Sequence, residues 1–216
     1  MDTLALLKIN EIFYSVQGEA KHSGKPTTFI RLSGCPFRCG YCDTEYAFRE
    51  GVKKSILDIV KEISKYKTKF VTITGGEPLS QKNIYYLFDK LVENNYKVSI
   101  ETSGLVDVKD IPNEIEIVMD IKTPSSGESH NNLYSNLDYL SKNDTIKFVI
   151  SSKEDYQWAK RIIKKHSLIK LCPVYFSPAY NDIDIRNIAD WVLADSLPVT
   201  IQCQLHKHIW GEIRGV

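Results

Sequence analysis

The stretch Thr28-Phe-Ile-Arg-Leu-Ser-Gly-Cys-Pro-Phe-Arg-Cys-Gly-Tyr-Cys42 passes from a β-branched, apolar run directly into a glycine and three close-set cysteines. A strand that ends in chemically unusual residues is the signature of a βα unit whose loop carries function. The same grammar recurs downstream. Phe70 to Thr74 is followed by Gly75-Gly76-Glu77-Pro78, Lys97 to Glu101 by Thr102-Ser103-Gly104, and Glu116 to Asp120 by Lys122 and Pro124-Ser125-Ser126-Gly127. Lys147 to Ile150, Val174 to Phe176 (then Ser177-Pro178) and Val199 to Gln202 complete the series. Between the strands, Ser55 to Ile63, Ile84 to Val92, Tyr156 to Ile163 and Ile183 to Val192 set apolar residues at helical spacing, with Ser55 and Ser152 as N-caps. An additional strand over Ile9 to Ser15 precedes the first unit. The alternation predicts an α/β fold of mostly parallel strands, and periodicity alone leaves a barrel or a doubly wound sheet open. In either, ligands gather where these loops do, at the carboxyl ends of the strands.

Composition bounds the function. A chain of 216 residues with 43% hydrophobic and 25% charged residues reads as one domain over 1–216 and excludes disorder and coiled coil. The 28 Lys and Arg balance the 27 Asp and Glu, so no global field draws the chain to nucleic acid or an anionic membrane. No apolar run is long enough to span a bilayer, and Met1-Asp2-Thr3-Leu4 lacks the features of a signal peptide; a cytoplasmic location is expected. Cys172 and Cys203 stand alone in apolar surroundings, which leaves Cys35, Cys39 and Cys42 as the chemical cluster.

Three thiolates at x3 and x2 spacing on one loop can hold one inorganic centre. A closed zinc site wants four protein ligands and a ferredoxin-type cluster four cysteines, and the nearest fourth candidates, Cys203, His206 and His208, lie at the far end of the chain. The spacing favours a [4Fe–4S] cluster with one iron open to a ligand; zinc completed by a distant residue is the alternative.

Cys35-x3-Cys39-x2-Cys42 after a first βα strand, with Gly75-Gly76-Glu77-Pro78 after the second, resembles the radical S-adenosylmethionine superfamily. The resemblance implies a partial (βα)6-type TIM barrel with an extra N-terminal strand and a C-terminal strand. It also implies that the open iron chelates the methionine moiety of S-adenosylmethionine and an electron cleaves the sulfonium to a 5′-deoxyadenosyl radical. Gly75 and Gly76 would let backbone approach the ligand, and Glu77 would accept from its ammonium group.

The chain further resembles the 7-carboxy-7-deazaguanine synthase family along Glu11 to Glu19, Thr28 to Thr44, Thr74 to Pro78, Glu101 to Gly104, Pro124 to Gly127, Ser177-Pro178 and Gln204 to Gly211. The implied reaction is a lyase step of queuosine biosynthesis: 6-carboxy-5,6,7,8-tetrahydropterin loses a hydrogen atom at C6, its ring contracts and ammonia leaves. Carried over by position, Val16, Gln17, Gly18, Arg31, Thr74, His206 and Lys207 would meet the pterin, with Arg31 on its carboxylate. Tyr41, Asp43, Gly75, Gly76, Glu77, Lys122 and Ser177 would meet S-adenosylmethionine, and Thr44 would bind magnesium, which takes its remaining ligands from substrate and water. A flavodoxin or ferredoxin as electron donor and a homodimer are implied.

Read by themselves, Arg31 fits a surface ion pair, Thr44 and Gly75-Gly76 fit turns, and His206 and Lys207 fit a polar edge as well as a pterin contact. Asp120-Ile121 stands where relatives commonly carry Ser-Pro, so of this segment only Lys122 transfers. Cys203 is expected in a buried strand, and His22, His130 and His166 at the surface, Lys164-Lys165-His166 closing a helix. A glycyl-radical activase, or a non-catalytic iron–sulfur or zinc module, are the competing functions.

Overall fold

The computed structural model describes residues 5–216; residues 1–4, on which the reading of the chain's start rests, lie outside the described part. Among the described residues nine strands form one sheet in the order β3-β1-β2-β4-β5-β6-β7-β8-β9. The strands are β1 Leu6–Val16, β2 Pro26–Leu32, β3 Val52–Ser55, β4 Phe70–Gly75, β5 Lys97–Thr102, β6 Glu116–Asp120, β7 Thr145–Ile150, β8 Val174–Pro178 and β9 Thr200–Ile201. From β2 to β9 through β4 every neighbour pair is parallel, whereas β1 runs antiparallel to both β2 and β3. The sheet is not closed: β3 and β9 are its edges. It is the expected partial barrel, with one strand more than expected. That strand, Val-Lys-Lys-Ser, has no alternating pattern; it forms because Leu6 to Ile9 offers it a free ladder.

Helices α1 (Ile56–Ile63), α2 (Ile84–Glu93), α3 (Lys153–His166), α4 (Leu168–Leu171), α5 (Ile185–Asp195) and α6 (Leu205–Trp210) complete the fold. The spacing that predicted the crossovers is the spacing that is buried: Ile56, Ile59 and Ile63 on α1, and Ile84, Leu87, Phe88 and Leu91 on α2. Ser55 and Ser152 cap as expected, accepting from the backbone N–H of Asp58 and Asp155. No α-helix joins β5 to β6 or β6 to β7, where 3-10 turns carry the chain instead. The core is one apolar layer between sheet and helices, with Ile30, Ile73, Ile100, Ile146 and Phe176 fully enclosed on β2, β4, β5, β7 and β8.

Candidate active site

A cavity of about 320 Å³ opens at the carboxyl ends of the parallel strands, in the size range of small-ligand sites. Cys35, Cys39 and Cys42 line one side of it as free, half-buried thiols. Their loop is held by backbone bonds from Gly34 N to Ala47 O (2.8 Å) and Gly40 N to Ser126 O (3.0 Å), while the Arg38 guanidinium donates to the Cys35 carbonyl at 2.8 Å. Burial raises all three thiol pKa values, that of Cys39 to about 11, so ligation by these groups must displace protons. Among the described residues no three Cys, His, Asp or Glu side chains converge on one metal ion. All three thiols line the same cavity, as their spacing on one loop leads one to expect of ligands to one inorganic centre. Cys203 is exposed and lies beyond β9, contrary to the expected buried strand position.

Tyr41, between the last two cysteines, and Asp43 and Thr44, just after them, line the same cavity. Thr44 Oγ1 donates to Asp43 Oδ1 at 2.9 Å, and Asp43 Oδ2 pairs with Lys207 at 2.5 Å. Burial works against the Asp43 charge, but the Lys207 ammonium and donors from Thr44 and Gln204 outweigh it and hold the carboxyl well below its usual range. Lys122 is buried beside Asp120 at 2.8 Å; desolvation opposes its charge and the Asp120 carboxylate with Tyr41 overcomes it. Asp120 thus has a defined role, as the counter-ion of Lys122.

The β4 loop is tied to its neighbours by its own groups. Glu77 is fully buried and does not line the cavity: its carboxylate accepts from Leu79 N (3.0 Å), Ser103 N (2.8 Å), Ser103 Oγ (2.5 Å) and Thr102 Oγ1 (2.9 Å). It pins β4 to the end of β5. Gly75 and Gly76 do line the cavity, but their need for glycine comes from the chain itself. A Cβ on Gly76 would sit 2.2 Å from the Gly34 carbonyl oxygen and 2.9 Å from the Cys35 Cβ, so this glycine lets the two loops touch.

Val16, Gln17, Arg31, Thr74, Ser177, His206 and Lys207 also line the cavity. Gly18 stands behind them, where a Cβ would meet the His206 ring at 2.0 Å. Gln17 donates to Thr72 Oγ1 (3.0 Å) and Glu101 Oε1 (3.3 Å), and Thr74 Oγ1 donates to Glu101 Oε2 (2.9 Å). Glu101, Glu19 and Lys147 were not singled out as site residues in the sequence, yet all three line the cavity floor. Their signal was present only in part: a lysine and an acid among apolar strand residues. Burial and then the neighbouring Glu19 charge raise the Glu101 pKa. Burial also opposes ionisation of Glu19, but its contact with Lys147 prevails and lowers it.

Arg31 is already paired. Its Nε donates to Glu11 Oε1 at 2.8 Å, the two residues facing each other across β1 and β2. Among the described residues its two terminal nitrogens have no hydrogen-bond partner, and the side chain lines the cavity. His22 and His166, expected at the surface, are half-buried, the first against Glu116 Oε2 at 2.8 Å and the second stacked on Tyr134; His130 is exposed as expected.

The Radical SAM superfamily profile matches residues 29–192. The chain is 39% identical to the 7-carboxy-7-deazaguanine synthase of Chlorobaculum tepidum over the whole of both chains. It is 40% identical to that of Koribacter versatilis over 97% of this chain and 100% of the relative, and 42% identical to that of Methanospirillum hungatei over 94% and 85%. The crystal structure of QueE from Escherichia coli superimposes with a TM-score of 0.75 over 93% of this chain and 95% of that one, at 24% identity, and shares the fold. Superfamily membership implies a [4Fe–4S] cluster and S-adenosylmethionine, and the three-cysteine loop suits both. From the cysteine loop, the open parallel sheet and full-length identity near 40%, the chain belongs to the 7-carboxy-7-deazaguanine synthase family of the radical S-adenosylmethionine superfamily.

Proposed function

We propose that the protein converts 6-carboxy-5,6,7,8-tetrahydropterin to 7-carboxy-7-deazaguanine and ammonia, as a radical S-adenosylmethionine lyase of queuosine biosynthesis. One observation carries this reading: a single cavity is lined both by the three thiols of Cys35, Cys39 and Cys42 and by the Arg31 guanidinium, the Gln17 amide and the carboxyls of Glu19 and Glu101. Cluster-bound S-adenosylmethionine supplies the hydrogen-abstracting radical. The chain's part is placement. Arg31 takes the substrate carboxylate through its terminal nitrogens, Gln17, Thr74 and Glu101 present a fixed set of donors and acceptors to the pterin ring, and His206 closes the side against Gly18. Tyr41, Asp43, Gly75, Gly76, Lys122 and Ser177 surround the adenosylmethionine half, Glu77 acting one step behind them. Thr44 offers one hard oxygen to magnesium, whose other ligands come from substrate and water.

The whole of residues 1–216 is read as one radical S-adenosylmethionine domain, cytoplasmic and homodimeric, reduced by a flavodoxin or ferredoxin. The test is anaerobic turnover of the reconstituted, reduced protein with the carboxylated tetrahydropterin. Release of 7-carboxy-7-deazaguanine with S-adenosylmethionine regenerated supports the reading; adenosylmethionine cleavage without deazapurine refutes it. Magnesium should stimulate turnover, and Thr44→Val should lose that response while keeping its iron content. A variant that answers magnesium like wild type removes Thr44 from the metal.

A further inference from the structure

Beyond the cavity's own groups, one carboxylate is shared by two guanidiniums that belong to distant parts of the chain. Glu11 Oε1 accepts from Arg31 Nε at 2.8 Å and from Tyr46 OH at 3.2 Å. Its other oxygen, Oε2, lies 3.7 Å from Arg214 Nε, an ion pair too long to be a hydrogen bond. Arg214 is fixed from three further directions. It stacks on the Tyr46 ring with 3.7 Å from guanidinium carbon to centroid, and its Nη2 lies 3.0 Å from both Glu50 Oε2 and Asn10 Oδ1. The segment that carries it, residues 211–216, turns at Gly211 and Gly215, both at positive φ, and lines the cavity. Tyr46 serves both cations, since the Arg31 guanidinium also lies over its ring at 5.8 Å.

We propose that residues 211–216 form a strap over the cavity mouth, latched by Arg214, and that Glu11 is a positioning residue that couples this latch to anion capture by Arg31. The coupling has a definite sign. Glu11 carries one charge for two cations. When an incoming carboxylate neutralises Arg31, the Glu11 charge is released toward Arg214 and the strap tightens; when the strap holds Glu11, Arg31 is freer to take the carboxylate. Coupling between two sites is reciprocal, so each event strengthens the other by the same factor.

This inference rests on the reading of Arg31 as the receptor of the substrate carboxylate, and its test keeps the two separable. Hydrogen exchange of the backbone amides of residues 211–216 is measured on the holoprotein without oxygen, first without ligand. Arg214→Ala should exchange about tenfold faster there than wild type; equal rates overturn the latch, whatever the pterin does. In the second arm, saturating 6-carboxytetrahydropterin should slow exchange of the wild-type strap about tenfold, and Arg214→Ala should raise the pterin dissociation constant by a similar factor with S-adenosylmethionine affinity unchanged. Glu11→Gln, which keeps the shape and the accepting oxygen, should abolish the reciprocity, and Arg214→Lys should recover part of it. Pterin that binds wild type without slowing the strap, or that loosens it, overturns the coupling. Pterin that does not bind wild type overturns the Arg31 reading, and the latch is then decided by the first arm alone.

Discussion

Glu101 shows how a residue can be obvious in the folded protein and silent in the chain. In the sequence it ends a strand; in the structure it lies on the cavity floor, with Gln17 and Thr74 donating to it and the Glu19 carboxylate close by. Burial first and Glu19 second raise its pKa above the ordinary glutamate value of 4.5. Below that value the carboxyl is neutral whether the chain is folded or not. As pH rises past it, the unfolded chain ionises first and the stability of the folded state falls until the folded pKa is passed. Glu101→Gln stays neutral throughout, so it should melt with wild type near pH 4 and above wild type at pH 7; thermal scans at the two pH values decide, and a variant that is less stable at pH 7 would contradict the raised pKa. Arg31 was legible from its place before the cysteine loop, but its pairing with Glu11 was not, because that contact needs the β1–β2 register. Arg31→Ala would leave the substrate carboxylate without its cation, and losing one side of a buried charge pair costs about 3–5 kcal/mol. Arg31→Ala should therefore weaken pterin binding at least about a hundredfold while S-adenosylmethionine still binds; equal loss of both ligands, read by titration, would return Arg31 to a structural ion pair.

At the scale of elements, the parallel strands and four of the helices were legible because each meets the core through one periodic face. What was missed is short, as α4 is, or lacks such a face. β3 is two lysines between a valine and a serine, and its partner strand alone makes it a strand. α6 has no buried residue and was read as a motif without a conformation. The glycines after β4 were singled out as points of close approach, and a sequence shows that need without showing what approaches. Gly76 meets the backbone of Gly34, one residue before the first cysteine. A methyl group there faces a carbonyl oxygen at 2.2 Å, which cannot rotate away as a side chain could. Overpacking of this kind costs about 1–3 kcal/mol, and the relief available is movement of the loop that carries Cys35. Gly76→Ala should fold with lowered stability and take up less iron and sulfide on reconstitution than wild type, as metal analysis per chain would show. Full iron content in this variant would mean the two loops move independently.

For the whole molecule, an open sheet poses a problem that the strand count does not reveal: the interior between β2 and β9 must be sealed by something other than a ladder. The sealing is done by the segment after β1, which crosses to the far end of the chain. Ala20 N donates to Gln202 Oε1 at 2.8 Å, Leu205 N to the Gly18 carbonyl at 3.1 Å, and Gln204 Nε2 to Glu19 Oε1 at 2.8 Å. Glu19 then forms a buried ion pair with Lys147 in the middle of β7. Composition and periodicity carry no trace of this contact, because it joins residues 128 apart through charge and not through an apolar pattern. Its removal should tell how the closure is held. Glu19→Ala leaves the Lys147 ammonium buried beside Asp120 and Glu101 without its partner, and breaking a buried pair from one side costs about 3–5 kcal/mol. For a chain of this size that is a fall in melting temperature of roughly 6–20 °C. If the loss comes from the stranded charge, adding Lys147→Met, of similar length and no charge, should recover a large part of it, since an apolar pair often replaces a buried ion pair at little cost. If instead the double variant melts as low as the single one, the closure depends on the Glu19 contacts to Gln204 and not on the ion pair. A single variant as stable as wild type would show that the sheet holds its open shape without this seal.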